Sequence, residues 1–333
     1  MSETPQHRVA EPLLQVSDLQ KYFPVRGGLF RRVQAQVRAV DGVSLSLEPG
    51  QTYGLVGESG CGKSTLGRAI LRLHEPTAGQ IRLNGADITQ LDRQALLPYR
   101  RRMQMIFQDP YASLSPRRTV AQTLREPLDL HRIGTRAERD ARVHDLLDVV
   151  GMGPRALNRY PHEFSGGQRQ RIGIARALAL DPLLIVADEP VSALDVSVQS
   201  QVLNLVADLQ RERGISFLFI AHDLAVIQQV SDVVGVMYLG KIVESASASA
   251  IYSAPKHPYT QALMSAIPVP DPASQRARIV LGGDVPSPRN PPPGCPFHPR
   301  CPQAMDHCRS EAPTLKRAAG AEDGHVVSCH LYD

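Results

Sequence analysis

The chain has 333 residues, of which 42% are hydrophobic and 21% are charged, a composition typical of a globular protein and unlike that of a disordered or collagen-like chain. Lysine and arginine exceed aspartate and glutamate by only four charges, too small an excess to indicate a nucleic-acid partner. The apolar runs are strand-sized rather than long enough to span a membrane, and residues 1–12 are polar, unlike a secretory signal. We therefore expect a cytoplasmic chain.

The N-terminal part of the chain is predicted to form a small antiparallel sheet. Apolar and polar residues alternate in residues 14–19 and 43–47. The alternation returns in residues 81–88 around an Asn84-Gly85 turn. Alternation of this kind is typical of strands with one buried face, and an Asn-Gly pair is a strong hairpin signal.

The rest of the chain is predicted to contain a parallel sheet, an insertion and an extension. Residues 183–187 are continuously apolar and residues 215–220 nearly so, as in parallel strands that are buried on both faces. A helix-rich insertion at about 100–180 precedes them. Proline becomes dense late in the chain, which excludes long regular elements there. We expect an α/β domain at 13–252 and an irregular extension at 253–333.

A phosphate-binding loop is predicted at residues 57–65, which fit the pattern G-x-x-x-x-G-K-[ST] between an apolar segment and a helix. In such a loop the glycines let backbone N–H groups surround phosphates, and the helix N-terminus adds partial positive charge. Lys63 would reach the β- and γ-phosphates of a nucleotide, and the Ser64 hydroxyl would bind Mg²⁺. A glycine-rich turn that only starts a helix is the alternative. The candidate phosphate-binding residues are Gly57, Glu58, Ser59, Gly60, Cys61, Gly62, Lys63, Ser64 and Thr65.

Two carboxylates and a histidine follow the predicted parallel strands. Ligands lie at the carboxyl ends of the strands in open α/β sheets, so Asp188 is expected to bind Mg²⁺ and Glu189 to orient or deprotonate an attacking water. Two acids in a solvated turn are the alternative. His222 ends the next strand at the same edge and is expected to contact the γ-phosphate, although a lone histidine at a strand end is more often structural.

A second helix is predicted to begin at Ser165-Gly166-Gly167-Gln168, where free backbone N–H groups suit an anion. With the phosphate loop and the two carboxylates in the same order, this segment resembles the signature of the ATP-binding subunits of ABC transporters, over about residues 13–252. The resemblance implies a P-loop NTPase fold of the α/β class, with an N-terminal antiparallel β subdomain and an inserted helical subdomain. It also implies a dimer in which the signature of one subunit closes on ATP bound to the other.

The same resemblance implies three further site residues. Gln108 matches the glutamine that contacts Mg²⁺ and links to the helical subdomain, and Asp195 matches the aspartate of the loop at the dimer seam. Phe23 fits the aromatic residue that stacks on adenine, with Tyr22 as the second choice. The implied reaction is ATP hydrolysis, with ATP and Mg²⁺ as cofactors.

Other segments look like the dipeptide and oligopeptide permease branch of this family. These segments are residues 107–117, residues 257–260 and the cysteine-rich tail, while residues 61–68 are similar to the F-type ATPase subunit. The similarity implies a D-type ATPase as the other half of a heterodimer, two transmembrane permease subunits and an extracytoplasmic solute-binding protein, at the cytoplasmic face of the inner membrane. Importers of nickel, glutathione and other solutes share these features. A soluble ABC ATPase of DNA repair or translation is the alternative outside transport.

Four cysteines lie together in the extension. Cys295, Cys301, Cys308 and Cys329 follow the spacing C-x₅-C-x₆-C-x₂₀-C among prolines. In a reducing compartment such a group indicates metal binding before disulfides. The spacing between the cysteines is longer than in the tight knuckles of zinc sites. The ATPase subunits of peptide permeases, which this chain resembles, carry a [4Fe–4S] cluster in this region. An iron–sulfur cluster is therefore expected, with zinc or four unligated thiols as the alternatives.

Overall fold

The computed structural model describes residues 11–27, 32–267 and 278–333 and contains two β-sheets. In chain order the strands are β1 (Leu14–Gly27), β2 (Arg32–Leu47), β3 (Thr52–Val56), β4 (Ala78–Leu83), β5 (Ala86–Asp87), β6 (Met103–Ile106), β7 (Leu184–Asp188), β8 (Ser216–Ile220), β9 (Val233–Tyr238), β10 (Lys241–Ser247), β11 (Lys316–Arg317) and β12 (Val326–Val327). The α-helices are α1 (Lys63–Ile70), α2 (Arg93–Arg102), α3 (Pro110–Ser113), α4 (Val120–Leu130), α5 (Arg136–Val149), α6 (Gly166–Leu178), α7 (Val196–Arg213), α8 (Leu224–Val230), α9 (Ala248–Ser253) and α10 (Pro258–Ser265).

The smaller sheet is the predicted N-terminal antiparallel sheet. Its strand order is β2-β1-β4-β5, and every neighbouring pair is antiparallel. Leu14 and Val16 of β1 are buried while Gln15 between them is exposed, as the alternating pattern requires. Asn84 and Gly85 have φ of +49° and +77°, the left-handed conformations of a two-residue hairpin turn. The predicted sheet and its hairpin are confirmed.

The larger sheet contains the predicted parallel strands at its centre. Its order is β11-β12-β10-β9-β3-β8-β7-β6, and the pairs from β9 to β6 are parallel. Every residue of β3, β7 and β8 is buried, which explains why these segments are apolar without alternation. Because parallel neighbours point the same way, the residues that follow β3, β6, β7 and β8 come together at one edge.

The helical insertion lies between β6 and β7 in the chain and contains α3 to α6. Three of its helices, α4, α5 and α6, begin with a capping box at Thr119, Thr135 and Ser165, where the hydroxyl satisfies a free backbone N–H group. Their buried residues belong to the same core as β7 and β8. In the described part of the chain, none of the helices combines the length and apolarity of a membrane span.

The extension is more regular than the irregular segment that the prolines predict. It begins with α10, and β12 pairs with β10 so that the large sheet continues into the tail. Cys295, Phe297 and Cys308 are buried in the same core as Tyr238 of β9. Strands of two residues are too short to show a period, and their pairing joins positions about 80 residues apart. The sequence pattern therefore could not indicate them.

Candidate nucleotide site

The predicted phosphate loop connects β3 to α1 and depends on two glycines. Gly57 and Gly62 have φ of +154° and +109°. A Cβ atom would lie 2.1 Å from the Met237 carbonyl oxygen in the first case and 2.0 Å from the Ala39 carbonyl oxygen in the second, so only glycine fits at either position. No side chain caps the start of α1. Its first backbone N–H groups are therefore not taken by a capping side chain and suit an anion.

Lys63 lies folded against this loop and is 4% exposed. Its Nζ donates hydrogen bonds to the carbonyl oxygens of Gly57 at 2.7 Å and Glu58 at 3.1 Å. An ammonium group held at the loop is placed to reach phosphates that the loop surrounds. Of the remaining loop residues, Cys61 is buried, Thr65 is half-buried, and Ser59 and Gly60 are exposed.

The two predicted magnesium ligands from the loop helix and the strand meet directly. Ser64 Oγ donates a hydrogen bond to Asp188 Oδ1 at 2.6 Å. Burial raises the pKa of Asp188, and Arg68 Nη2 lies 3.5 Å from its other carboxylate oxygen. A hydroxyl and a carboxylate side by side are oxygen donors of the kind that Mg²⁺ prefers. Arg68 was not predicted, although its position four residues after Ser64 places it on the same face of α1.

The structure brings the three predicted catalytic residues together where β6, β7 and β8 end. Gln108 Nε2 donates a hydrogen bond to Glu189 Oε2 at 3.0 Å, and His222 Nδ1 lies 3.2 Å from the same oxygen. Glu189 has φ of +46°, an uncommon conformation for a residue with a side chain. Strain of this kind at a strand end is typical of functional sites. A carboxylate held between an amide and an imidazole is suited to orienting a water molecule.

The Ser-Gly-Gly-Gln signature lies at the N-terminus of α6. Ser165 Oγ accepts a hydrogen bond from the Gln168 N–H at 3.3 Å, and the Ser165 N–H donates to Gln168 Oε1 at 3.1 Å. Both residues are exposed, whereas Gly166 is half-buried and Gly167 is buried. Across the described ranges no hydrogen bond joins this segment to the phosphate loop. Asp195 is also exposed, at the start of α7, so both features are accessible to another subunit.

The two candidates for stacking on adenine have different surroundings. The Phe23 ring meets His74 edge-on with centroids 5.5 Å apart, and Lys21 Nζ lies 4.9 Å from the Phe23 centroid. The neighbouring Tyr22 hydroxyl donates a hydrogen bond to Asp41, and burial raises the pKa of Tyr22 to about 12. Because Tyr22 already has a polar partner in the fold, Phe23 is the better candidate for a ring contact with a base.

The four cysteines of the extension converge on one small cavity. Cys295, Cys301, Cys308 and Cys329 line it, and none of them forms a disulfide. Burial, together with the other three thiols, raises the pKa of Cys329 to about 11. Among the described residues, no group of three or more His, Cys, Asp or Glu side chains is placed to hold a metal ion. The iron–sulfur cluster and its zinc alternative therefore stay predictions.

Two residues of the extension contact the phosphate loop, and neither was predicted. Arg300 forms an ion pair with Glu58, and the Tyr259 hydroxyl accepts a hydrogen bond from the Glu58 N–H group. Each contact joins positions more than 200 residues apart. Glu58 occupies a variable position of the loop pattern, so no local signal in the sequence indicates either partner.

Comparisons with known proteins agree with this geometry. The family described as ABC transporter matches residues 40–192, and the family described as oligopeptide/dipeptide transporter, C-terminal region, matches residues 243–308. The chain is 54% identical over 325 residues to the oligopeptide transport ATP-binding protein AppF of Bacillus subtilis (strain 168), covering 97% of this chain and 98% of that protein. It is 53% identical to a probable peptide ABC transporter ATP-binding protein of Sinorhizobium fredii, over 97% of this chain and 91% of the relative.

The fold is also shared with solved structures. A dimeric post-hydrolysis state of the ATP-binding cassette MJ0796, bound to ADP and Pi, superposes with a TM-score of 0.63 at 28% identity, over 71% of this chain and 98% of that one. The predicted P-loop NTPase fold is therefore confirmed. The chain belongs to the ABC transporter ATP-binding proteins, and it is an ATPase of that family that carries the C-terminal region of the oligopeptide/dipeptide transporters.

Proposed function

We propose that this chain is the ATP-hydrolysing subunit of an importer of dipeptides or oligopeptides. The observation that carries the proposal is the meeting of Ser64, Asp188, Glu189, Gln108 and His222 beside the phosphate loop. Relatives named for peptide transport match this chain along nearly its whole length, including the extension. An importer of nickel, glutathione or another solute is the alternative.

Nucleotide binding rests on the loop and on the residues next to it. The backbone N–H groups of residues 57–65 and the start of α1 bind the phosphates, and Lys63 neutralises the β- and γ-phosphates. Phe23 stacks on adenine. Ser64 and Asp188 would hold Mg²⁺, with Gln108 nearby, and the ion when bound supplies charge neutralisation at the phosphates.

Hydrolysis is assigned to Glu189. Both contacts of its carboxylate, from Gln108 and His222, are made to Oε2. The Oε1 atom can therefore accept a hydrogen bond from the attacking water and orient it toward the γ-phosphorus. His222, which is largely exposed, can turn toward the γ-phosphate and stabilise the charge that develops there.

A second ATPase subunit completes the site. Ser165, Gly166, Gly167 and Gln168 form a helix N-terminus that suits an anion, with Ser165 and Gln168 exposed. We assign this segment to the γ-phosphate held by the partner, with Asp195 at the seam between the two subunits. A D-type ATPase is the proposed partner, so that ATP closes a heterodimer and hydrolysis reopens it.

A groove beside the helical insertion is the proposed contact with the permease subunits. The groove has a volume of about 1110 Å³. Four large apolar side chains are exposed in it, with 47% of Leu73, 49% of Leu97, 37% of Phe107 and 75% of Leu130 accessible. Exposed apolar side chains grouped in this way are typical of a protein interface. Since Gln108 also lines the groove, a permease helix docked here would touch the residue that contacts Glu189.

The segment after Gln108 contributes to this groove through only part of its length. Asp109, Ala112 and Ser113 line it, whereas the Tyr111 ring lies under the Arg169 guanidinium at 3.5 Å. A thiol-reactive cross-linker attached to the cysteine of the Ala112→Cys variant should therefore link this chain to a permease subunit. The same reagent at Tyr111→Cys is the matched control and should link less. Links from Ala112→Cys to the partner ATPase alone would place the docking site elsewhere.

Purification from membranes tests the proposed function directly. The chain is expected at the cytoplasmic face of the inner membrane, bound to two permease subunits that receive solute from an extracytoplasmic binding protein. Two polytopic subunits and a second ATPase should co-purify in mild detergent, and peptide-loaded binding protein should raise ATP turnover. If binding protein loaded with nickel or glutathione raises ATP turnover instead, the transported solute is nickel or glutathione rather than a peptide. Co-purification with ribosomes or DNA-repair proteins, without polytopic subunits, would contradict transport.

The cysteine cavity is the proposed site of a [4Fe–4S] cluster. Four cysteine thiolates are the usual ligands of such a cluster, and the four thiols of the extension line one cavity. A single zinc ion is the alternative. Protein purified without oxygen should be brown, should lose its broad visible band with dithionite, and should contain roughly four irons per chain. One zinc in a colourless preparation would favour the alternative. Protein without metal would leave four unligated thiols.

A further inference from the structure

The extension contacts the phosphate loop through a partly buried ion pair. Arg300 donates hydrogen bonds from Nη1 and Nη2 to the two carboxylate oxygens of Glu58, at 2.7 and 3.0 Å. The Arg300 side chain is 8% exposed and the Glu58 side chain 27%. Two parallel charge-assisted bonds fix orientation as well as distance. The second residue of the loop is therefore fixed to a residue 242 positions away.

The backbone of the same loop residue is held as well. Tyr259 of α10, which is fully buried, accepts a hydrogen bond from the Glu58 N–H group at 2.9 Å. The preceding Gly57 lies so close to the Met237 carbonyl group that no side chain fits between them. The beginning of the loop is thus held by the end of β9 and by two residues of the extension.

The position of Arg300 depends on the segment between Cys295 and Cys301. Arg300 ends a single 3-10 turn between Cys295 and Cys301, and its N–H group donates a hydrogen bond to the Phe297 carbonyl oxygen at 3.0 Å. The Phe297 ring is buried with its centroid 5.4 Å from that of Tyr259. The two residues of the extension that contact Glu58, Arg300 and Tyr259, therefore both pack with Phe297 in the extension.

The charge of Glu58 makes this contact matter for a nucleotide. A carboxylate in a loop that surrounds phosphates repels them when it is unpaired. Arg300 neutralises that charge and keeps it in one place. The catalytic candidates Glu189, Gln108 and His222 follow other strands and have no hydrogen bond to Arg300 in the described part of the chain.

We propose that Arg300 is a positioning residue of the ATP site, which holds Glu58 and thereby keeps the phosphate loop in the conformation that receives phosphates. The proposal rests on the proposed function, because it requires this loop to bind ATP. Loss of Arg300 should raise the KM for ATP with a much smaller change in kcat, since the groups that act on the attacking water are untouched.

A double-mutant cycle on the full chain tests the proposal. Arg300→Ala should raise both the KM and the Kd for ATP about tenfold, because it leaves a partly buried carboxylate unpaired. Arg300→Lys should raise them less. Glu58→Ala should have a smaller effect than Arg300→Ala, and the double variant should match Glu58→Ala, since Arg300 then has nothing to hold. Arg309→Ala changes an exposed arginine of the same segment and should behave as wild type.

Two results would overturn the proposal. One is a folded Arg300→Ala variant whose KM and Kd for ATP equal those of wild type. The other is a double variant whose effect is the sum of the two single effects. If Arg300→Ala does not fold, Arg300→Lys decides: it loses the two-pronged contact with Glu58 and should raise the KM for ATP, and an unchanged KM would be contrary to the proposal. A wild-type chain that neither binds nor hydrolyses ATP would overturn the proposed function itself.

Discussion

The catalytic edge of the sheet and the C-terminal extension contribute to one site in different ways. At the edge, five side chains near the ends of four strands form two hydrogen-bonded groups, Ser64 with Asp188 and Glu189 with Gln108 and His222. In the extension, Arg300 and Tyr259 reach only the first residues of the phosphate loop. In the proposed function the edge supplies groups that act on the nucleotide, whereas the extension, as proposed for Arg300, fixes the loop that holds it. Variants at the edge should therefore change turnover, and variants in the extension should change affinity or stability.

The largest expected effect is at the edge. Glu189→Gln should lower ATP turnover by about 10²- to 10⁴-fold, the usual contribution of a general base, and it should leave ATP binding in place. The closed dimer should then accumulate in ATP and be visible by size-exclusion chromatography. Glu212→Gln alters an exposed glutamate on α7 and is the control. Normal turnover in Glu189→Gln would remove the difference between the two regions.

The next effect concerns the stability of the extension. Burial lowers the pKa of His257 to about 4. Between this value and the ordinary value near 6.5, the unfolded chain binds a proton that the folded chain does not. The contribution of the neutral His257 side chain to the free energy of unfolding is therefore complete above about pH 6.5. As the pH falls toward 4, the free energy of unfolding decreases by at most about 3 kcal/mol. Glu244 accepts a hydrogen bond from the backbone N–H group of His257, and its negative charge opposes this shift of the pKa.

A conservative variant isolates that contribution. His257 Nδ1 accepts a hydrogen bond from the Tyr259 N–H group at the start of α10. Asparagine can make the same cap without titrating, so His257→Asn should flatten the pH dependence of unfolding between pH 4 and 6.5. His144→Asn, at an exposed histidine of α5, should leave the dependence as it is. Equal slopes for His257→Asn and wild type in denaturant titrations would show that the buried histidine does not contribute.

The third effect is on affinity at the loop. Lys63→Ala removes the cation at the phosphates and should weaken ATP binding by about 10- to 100-fold, as expected for hydrogen bonds between charged groups. Binding of a fluorescent ATP analogue measures the change without any need for turnover. Lys256→Ala, which removes a lysine of the extension, is the control. If Lys63→Ala binds normally and only turns over slowly, the lysine belongs with the catalytic edge rather than with the loop.

The sequence predicted the edge far better than the extension, for a physical reason. Lys63, Asp188 and Glu189 stand in short patterns whose spacing is imposed by the chemistry of phosphate and metal binding. The parallel strands that bring them together are apolar enough to be identified without a structure. By contrast, the contact between Arg300 and Glu58 is set by packing of residues that are far apart in the chain. Nothing in the local sequence around Arg300 distinguishes it from the other arginines of the tail.

A peptide uptake assay tests the central claim most directly, because the claim is that ATP hydrolysis at Glu189 is coupled to transport. Cells that lack their own copy of this chain can be supplied with either the wild-type chain or Glu189→Gln and given a labelled oligopeptide. We expect uptake with the wild type and none above background with Glu189→Gln, while both proteins co-purify with the permease subunits. Equal uptake with the two proteins would contradict the central claim.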